Sequence, residues 1–327
     1  MTLSVRDRNF TLVGVLLALF FQGAAFLCTV AFLPLFMVNV VQVSATGAGL
    51  TLVPLSLGVV AGSVVAGQLV SRFGRYRLLI LVGSVVLFVG TYLLSRMTPD
   101  ETLGRVTLYM AIAGLGIGPS LPLYTLAIQN AVDPRQLGQA TSASQFFRQI
   151  GGAIGAAVLG TVLSVTLAAA FAGNLAGGPL GPPAGQAGAQ APASAADVER
   201  AVREAMGAQL ARLEAAFDTG DAASIRATLD EAGVPEAAQV GILQGYEASA
   251  GSPEARERLV SGLHERFEQQ VVEVVAQVDA GVRASFTEAV TRVFTYVLYV
   301  VALAWLVTLF LPVLPLRETL DVAPPGE

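Results

Sequence analysis

Arg72, Arg75 and Arg77 fall within six residues of one another in the stretch GQLVSRFGRYRLL (67–79), after a run from Asn9 to Ser71 without a single Asp, Glu, Lys or Arg. Guanidinium groups placed together can hydrogen-bond the last carbonyls of helices and pair with anionic lipid headgroups. Gly74 stands among them and permits a tight turn, while Gly67 opens the stretch. A second group with chemical capacity is scattered through otherwise apolar sequence: Gln22, Tyr124, Gln129, Asn130, Gln145, Arg148 and Gln149. With Phe20, Phe21, Phe26, Phe146 and Phe147 they would suit a large lipophilic small molecule bound mainly through apolar surface. Enzyme chemistry is not expected. His264 is the sole histidine and lies beside Glu265 and Glu268 without metal-ligand spacing, Cys28 is the sole cysteine, and no nucleophile–base pairing is found. No metal, cofactor, disulfide or nucleic-acid partner is expected.

What positions these residues depends on the solvent around them. Hydrophobic residues make up 54% of the chain and charged residues 13%, about half the charged share of a soluble globular protein. Charge-free runs at 9–71, 106–132 and 293–316 reach the length needed to cross a bilayer, and 78–95 comes close. The run 9–71 is too long for one crossing and is interrupted at NVVQVSATGAG (39–49). Six spans are therefore predicted, near 11–38, 48–70, 77–95, 106–130, 141–171 and 289–314. The fold class expected is an all-α integral membrane protein embedded in a lipid bilayer.

Arginine placement orients these spans. The N-terminus, the 71–77 turn, the 131–140 loop and the C-terminal tail carry Arg6, Arg8, Arg72, Arg75, Arg77, Arg135 and Arg317, whereas on the opposite side the 39–49 turn is uncharged and the 96–105 loop holds Arg96 and Arg105, offset by Asp100 and Glu101. The excess predicts the first set as cytoplasmic, with both termini inside the plasma membrane.

Helices in lipid pack closely where small residues recur on one face. Gly58 and Gly62, Gly114 and Gly118, and Gly152, Ala156 and Gly160 supply that spacing. Pro119 and Pro122 interrupt the fourth span and Pro54 the second, so kinks are expected there. No Asp or Glu lies in the core of any predicted span, and Arg148 is the one charge well inside, about two turns into the fifth. Either it snorkels to the interface or it faces the bundle interior beside Gln145 and Gln149.

Gly67, Arg72, Gly74, Arg75 and Arg77 resemble the G-x-L-x-D-R-x-G-R-[KR] loop motif of the major facilitator superfamily, with Ser71 where the family's Asp is expected. The segments TGAGLTLVPLSLGVVAGSVVAGQL (46–69) and GLGIGPSLPLYTLAIQNAVDPRQLGQATSASQFFRQIGGAIGAAVLGTVL (114–163) are similar to the fourteen-helix drug:proton antiporter subfamily. The likeness covers residues 5–172 and the last span, and corresponds to helices nine to fourteen of that fold. It implies one six-helix repeat of a multidrug exporter in which two bundles rock around a central site, driven by proton flow. The coupling carboxylates of the family lie mainly in its other half, so a missing amino-terminal half or a second chain is expected as partner, with truncation or an upstream half as its source.

Residues 173–285 read as a non-membrane insert, with 16 Asp and Glu against 8 Arg. The expected division is 1–172 for spans one to five, 173–196 as a flexible Gly/Pro/Ala linker, 197–285 as an extracytoplasmic helical insert, 286–316 as the last span and 317–327 as a cytoplasmic tail. Within the insert, Val198, Val202, Met206, Leu210, Leu213 and Phe217 recur at helical spacing. A second stripe from Pro253 runs into the last span, and shorter helices fill 222–247, one starting at Pro235. The functional expectation is half of a proton-driven exporter of drug-like, lipophilic compounds. The alternative is a non-transporting membrane anchor whose insert binds a partner outside the cell.

Overall fold

The computed structural model describes residues 5–175 and 253–311, together with 222–231 and scattered positions between 200 and 246. Among these, every regular element is helical. Six stretches are long and apolar enough to cross a membrane: Thr11–Asn39, Thr46–Phe73, Tyr76–Ser95, Leu103–Ala131, Pro134–Gly173 and Val272–Leu309. The protein is an all-α membrane protein.

The chain divides into two compact units, one of Met1–Ala170 with Arg283–Glu327 and one of Phe171–Val282. In the first, α1 (Val5–Asn39) is followed by the short α2 (Ala45–Leu50) and by α3 (Val53–Phe73). Next come α4 (Tyr76–Ser95), α5 (Leu103–Ile117), α6 (Ser120–Ala131) and α7 (Leu137–Leu175), the last entered through a 3-10 turn at Pro134–Gln136. The second unit contains α8 (Ala222–Glu231), which buries Ile225 and Leu229. The final helix α9 covers Pro253–Leu309. The linker 177–196, all six residues of the stripe from Val198 to Phe217, Pro235 and the tail lie outside the described residues.

Two spans are less continuous than the hydropathy pattern suggests. The second is divided, because Ser44 caps α2 by accepting from the Gly47 N–H, and α3 starts afresh at Val53. Pro54 therefore does not kink a helix but opens one, at a position where its missing N–H has no helical partner to lose. The fourth is interrupted at Gly118 and Pro119, giving α5 and α6. Both residues keep right-handed helical dihedrals, with φ −48° and −58°. The axis is interrupted by lost hydrogen bonds rather than by a turn.

The cause is the proline pair. Pro119 has no N–H for the Leu115 carbonyl, and Pro122 none for that of Gly118. In hydrocarbon such freed carbonyls need other company. Ser63 of α3 donates its hydroxyl to Gly118 O at 2.8 Å. The Leu115 carbonyl faces Gly62, where an added Cβ would lie 2.6 Å away, leaving room only for a Cα–H contact.

A buried cluster holds this unit together at α1, α3, α4 and α6, with Val15, Leu19, Ala66, Tyr76, Ile80, Leu123 and Tyr124 among its members. Its position at one end of the bundle places the arginine turn beside it.

Candidate functional site

The α3–α4 turn is built around Gly74, the αL cap of α3 at φ 65°, whose N–H bonds Val70 O at 2.8 Å. Only glycine adopts that conformation without strain, so the chain reverses here and α4 begins two residues later. Arg72 and Arg75 are exposed, and Gly67 has open space around it. Arg77 differs from them: half-buried, it donates to the carbonyl of Leu309, the last residue of α9. A cation on the final carbonyl of a helix complements its dipole. A narrow cleft beside it is bounded by Thr11, Tyr76, Arg77 and Thr308.

The small residues mark the closest helix crossings. A Cβ at Gly114 would stand 2.2 Å from Leu55 O, one at Gly118 2.4 Å from Val59 O, and one at Gly58 2.6 Å from Ala111 O. With Gly62 these four residues press α3 and α5 together backbone to backbone. The opposite face of α5 meets α4 just as closely: Gly116 is 2.1 Å from Leu87 N by the same measure, and Gly90 2.6 Å from Ala113 N. Gly83 approaches Pro119 itself, at 3.0 Å from Cβ. The interrupted helix is thus clamped on two sides, at the break and below it. Gly83 and Gly90 are absent from the sequence reading, although they are spaced two helical turns apart, which was the available signal.

On α7 the tight contact lies one residue before the expected one. Gly151 would put a Cβ 2.0 Å from Phe20 O and Gly155 one 2.5 Å from the Ala24 Cβ, while Gly23 on α1 meets Arg148 O at 2.0 Å. Gly152 is buried with looser neighbours, the nearest at 3.2 Å, Ala156 is half-buried, and Gly160 has only Phe32 at 3.8 Å. The face therefore turns by about 100°, one residue of helix. Gly151 and Gly155 also have four-residue spacing, so pattern alone offered both registers.

The seven polar candidates separate into three groups. Gln22 is 3% exposed and donates to Ser120 Oγ at 2.7 Å, joining α1 to the start of α6. Tyr124 is fully buried and 2.7 Å from Thr308 Oγ1. Thr308 gives its one hydroxyl hydrogen to Ala304 O, so Tyr124 is the donor. Neither residue lines an open wall, because each is consumed in a helix-to-helix bond. Gln129 is exposed and Asn130 half-buried at the far end of α6. Only Gln145, Arg148 and Gln149 stay together, on one stretch of α7. Arg148 is half-buried and donates to Gln145 Oε1, with Gln149 exposed beside it. Two edge-to-face aromatic pairs, Phe20–Phe21 and Phe146–Phe147, flank the α1–α7 crossing. Ser63, Ser120 and Thr308 went unnoticed in the sequence because single hydroxyls in an apolar helix usually bond their own backbone.

Comparison with known proteins agrees with this architecture. Residues 2–156 match the model of the Major Facilitator Superfamily. The chain is 36% identical over 147 residues to Multidrug transporter protein MdtP of Bacillus subtilis, covering 45% of this chain and 27% of that protein. It is also 36% identical over 132 residues to Multidrug resistance protein 3 of the same organism, covering 40% and 26%. A third similar protein, the MFS-type transporter Rv1877 of Mycobacterium tuberculosis, is 34% identical over 134 residues, covering 41% and 20%. The chain thus spans about a quarter of the length of these relatives. With its all-helical spans, its arginine turn and its glycine-lined crossings, the chain is similar, through residues 2–156, to the Major Facilitator Superfamily.

Proposed function

We propose that this chain contributes one six-helix bundle to a major facilitator exporter of lipophilic, drug-like compounds, working with a second bundle supplied by an amino-terminal half, another polypeptide or a further copy. The observation that carries the reading is the interrupted α5–α6 span, whose break at Pro119 is clamped by glycine contacts from α3 and α4. Glycine faces without interlocking side chains permit small slides and rotations, which rocking between two access states requires. The similarity of residues 2–156 to proteins named as multidrug transporters supports the substrate class. Proton coupling would need carboxylates from the partner. The first five spans contain no Asp or Glu, and Glu101, between the third and fourth, pairs with Arg105 at 3.5 Å.

The orientation proposed puts the Arg72–Arg77 turn in the cytoplasm and residues 173–285 outside. The test is efflux of a lipophilic dye from cells lacking their own exporters, carrying the full chain alone and with a partner half. Dye retention in both, with the protein present in the membrane, would defeat the reading.

The second reading, an anchor presenting a partner-binding domain, draws on the separate compactness of Phe171–Val282. Deleting 190–280 discriminates. An exporter keeps dye efflux, whereas an anchor loses capture of its partner and has no efflux to lose.

A further inference from the structure

We infer that the α1–α7 crossing forms a binding site for an amphiphile with an anionic head and an aromatic or otherwise flat apolar body, with Arg148 as its recognition charge. The inference deepens the exporter reading by naming the charge of the ligand, and it rests on that reading only for the ligand's being a substrate.

Four observations meet at this place. Arg148 lies eleven residues beyond Leu137, the start of α7, which is about 16 Å along the helix axis. It therefore sits about three turns into α7, beside the exposed Phe146 and Phe147 of the same stretch. Its guanidinium contacts Gln145 Oε1, a neutral amide oxygen, and not a carboxylate. Among the described residues Arg148 itself takes part in no ion pair, so no acid there compensates it. A guanidinium has five N–H donors in a planar fork. Gln145 oxygen engages it from one side and leaves donors for a further acceptor.

The surroundings supply the apolar half of the recognition. Phe146 is 58% exposed and Phe147 38% exposed, and they pack edge to face at a centroid separation of 5.8 Å. On α1, Phe20 and Phe21 form a similar pair at 5.6 Å. The two pairs are brought to one place by the crossing itself, where Gly151 abuts Phe20 O and Gly23 abuts Arg148 O. Aromatic rings at the edge of a span offer surface for a flat ligand, and the uncompensated cation decides its sign. A cationic ligand would meet Arg148 with no counter-charge nearby, which disfavours it in low dielectric.

The anionic group could belong to a free amphiphile or to a lipid phosphate, and the experiment separates them. The full chain is reconstituted in phosphatidylcholine nanodiscs and titrated by fluorescence with 1-anilinonaphthalene-8-sulfonate. N-phenyl-1-naphthylamine serves as the uncharged ligand of the same ring system. Arg148→Gln should weaken sulfonate binding about tenfold, the scale of a charge-assisted hydrogen bond, and leave the neutral ligand unchanged. Gln145→Glu, which places a carboxylate against the guanidinium, should do the same. Arg148→Lys should restore much of the affinity, which a merely structural arginine would not do. Unchanged sulfonate binding in both Arg148→Gln and Gln145→Glu, or equal losses for the two ligands, would overturn the inference. Replacing phosphatidylcholine by phosphatidylglycerol then identifies the occupant: competition means a lipid headgroup, and indifference means a free anionic amphiphile. Dye efflux, measured separately, reports on the exporter reading and can fail while the sulfonate selectivity stands.

Discussion

The hydroxyl of Ser63 on α3 donates to the carbonyl of Gly118, the C-cap of α5, at 2.8 Å, and that carbonyl is the one Pro122 leaves without its helical N–H. One helix thus repairs the backbone of another at the point where the second is interrupted. Ser63→Ala should lower stability by about 0.5–1.5 kcal/mol, the net value of such a bond. Pro122→Ala supplies an N–H at 122 that can fill Gly118 O internally. In that background Ser63→Ala should therefore cost less, by a coupling of about 0.5 kcal/mol or more. Thermal unfolding of the four proteins in detergent gives the cycle. Strict additivity would mean that Ser63 does not serve the freed carbonyl.

The α5 glycines make a prediction of opposite signs. Gly114→Ala and Gly116→Ala each set a methyl group within 2.2 Å of a neighbouring backbone atom and should destabilise by about 1–3 kcal/mol, as overpacking does. Gly104 and Gly67 have open space, so alanine there should stabilise its helix by about 0.5–1 kcal/mol. A melting-temperature series over the four positions checks both signs. Gly67→Ala is the informative case for function, since any loss of efflux without loss of stability belongs to the motif and not to packing.

On α7 the register is open to the same approach. Gly151→Ala should disrupt the crossing with α1, while Gly160→Ala should be tolerated, since its nearest contact is Phe32 at 3.8 Å. Thermal unfolding of the two variants in detergent should show a loss for Gly151→Ala and little change for Gly160→Ala.

The turn between α3 and α4 makes another. Gly74→Ala forces a side chain into φ 65° and should cost about 1–2 kcal/mol. Arg77→Gln removes the cation from Leu309 O and should loosen the end of α9. Hydrogen exchange at residues 305–309 should rise in Arg77→Gln and stay unchanged in Arg72→Gln, whose arginine is exposed.

Finally, Pro119→Ala restores the N–H that Leu115 O lacks and should straighten α5 into α6. If the interruption serves movement, the efflux rate falls while dye binding holds. An unchanged rate would make the break a packing feature alone.

Six membrane-crossing segments were legible in the sequence because they follow from one local quantity, the length of apolar chain that can lie in lipid. The end of α3 was legible for a similar reason, as glycine at 74 is the local solution to a left-handed cap. The pairing of Gly58 and Gly62 with Gly114 and Gly118 required the tertiary structure, since spacing names a face but not its partner. So did the choice of Gly151 and Gly155 over Gly152 and Ala156, which differ by a single rotation about α7. The polar residues were the least legible. Whether Gln22 and Tyr124 met a ligand or another helix depended on Ser120 and Thr308, 98 and 184 residues away. A buried hydrogen bond needs both ends within about 3 Å, and only the packed bundle decides which ends meet.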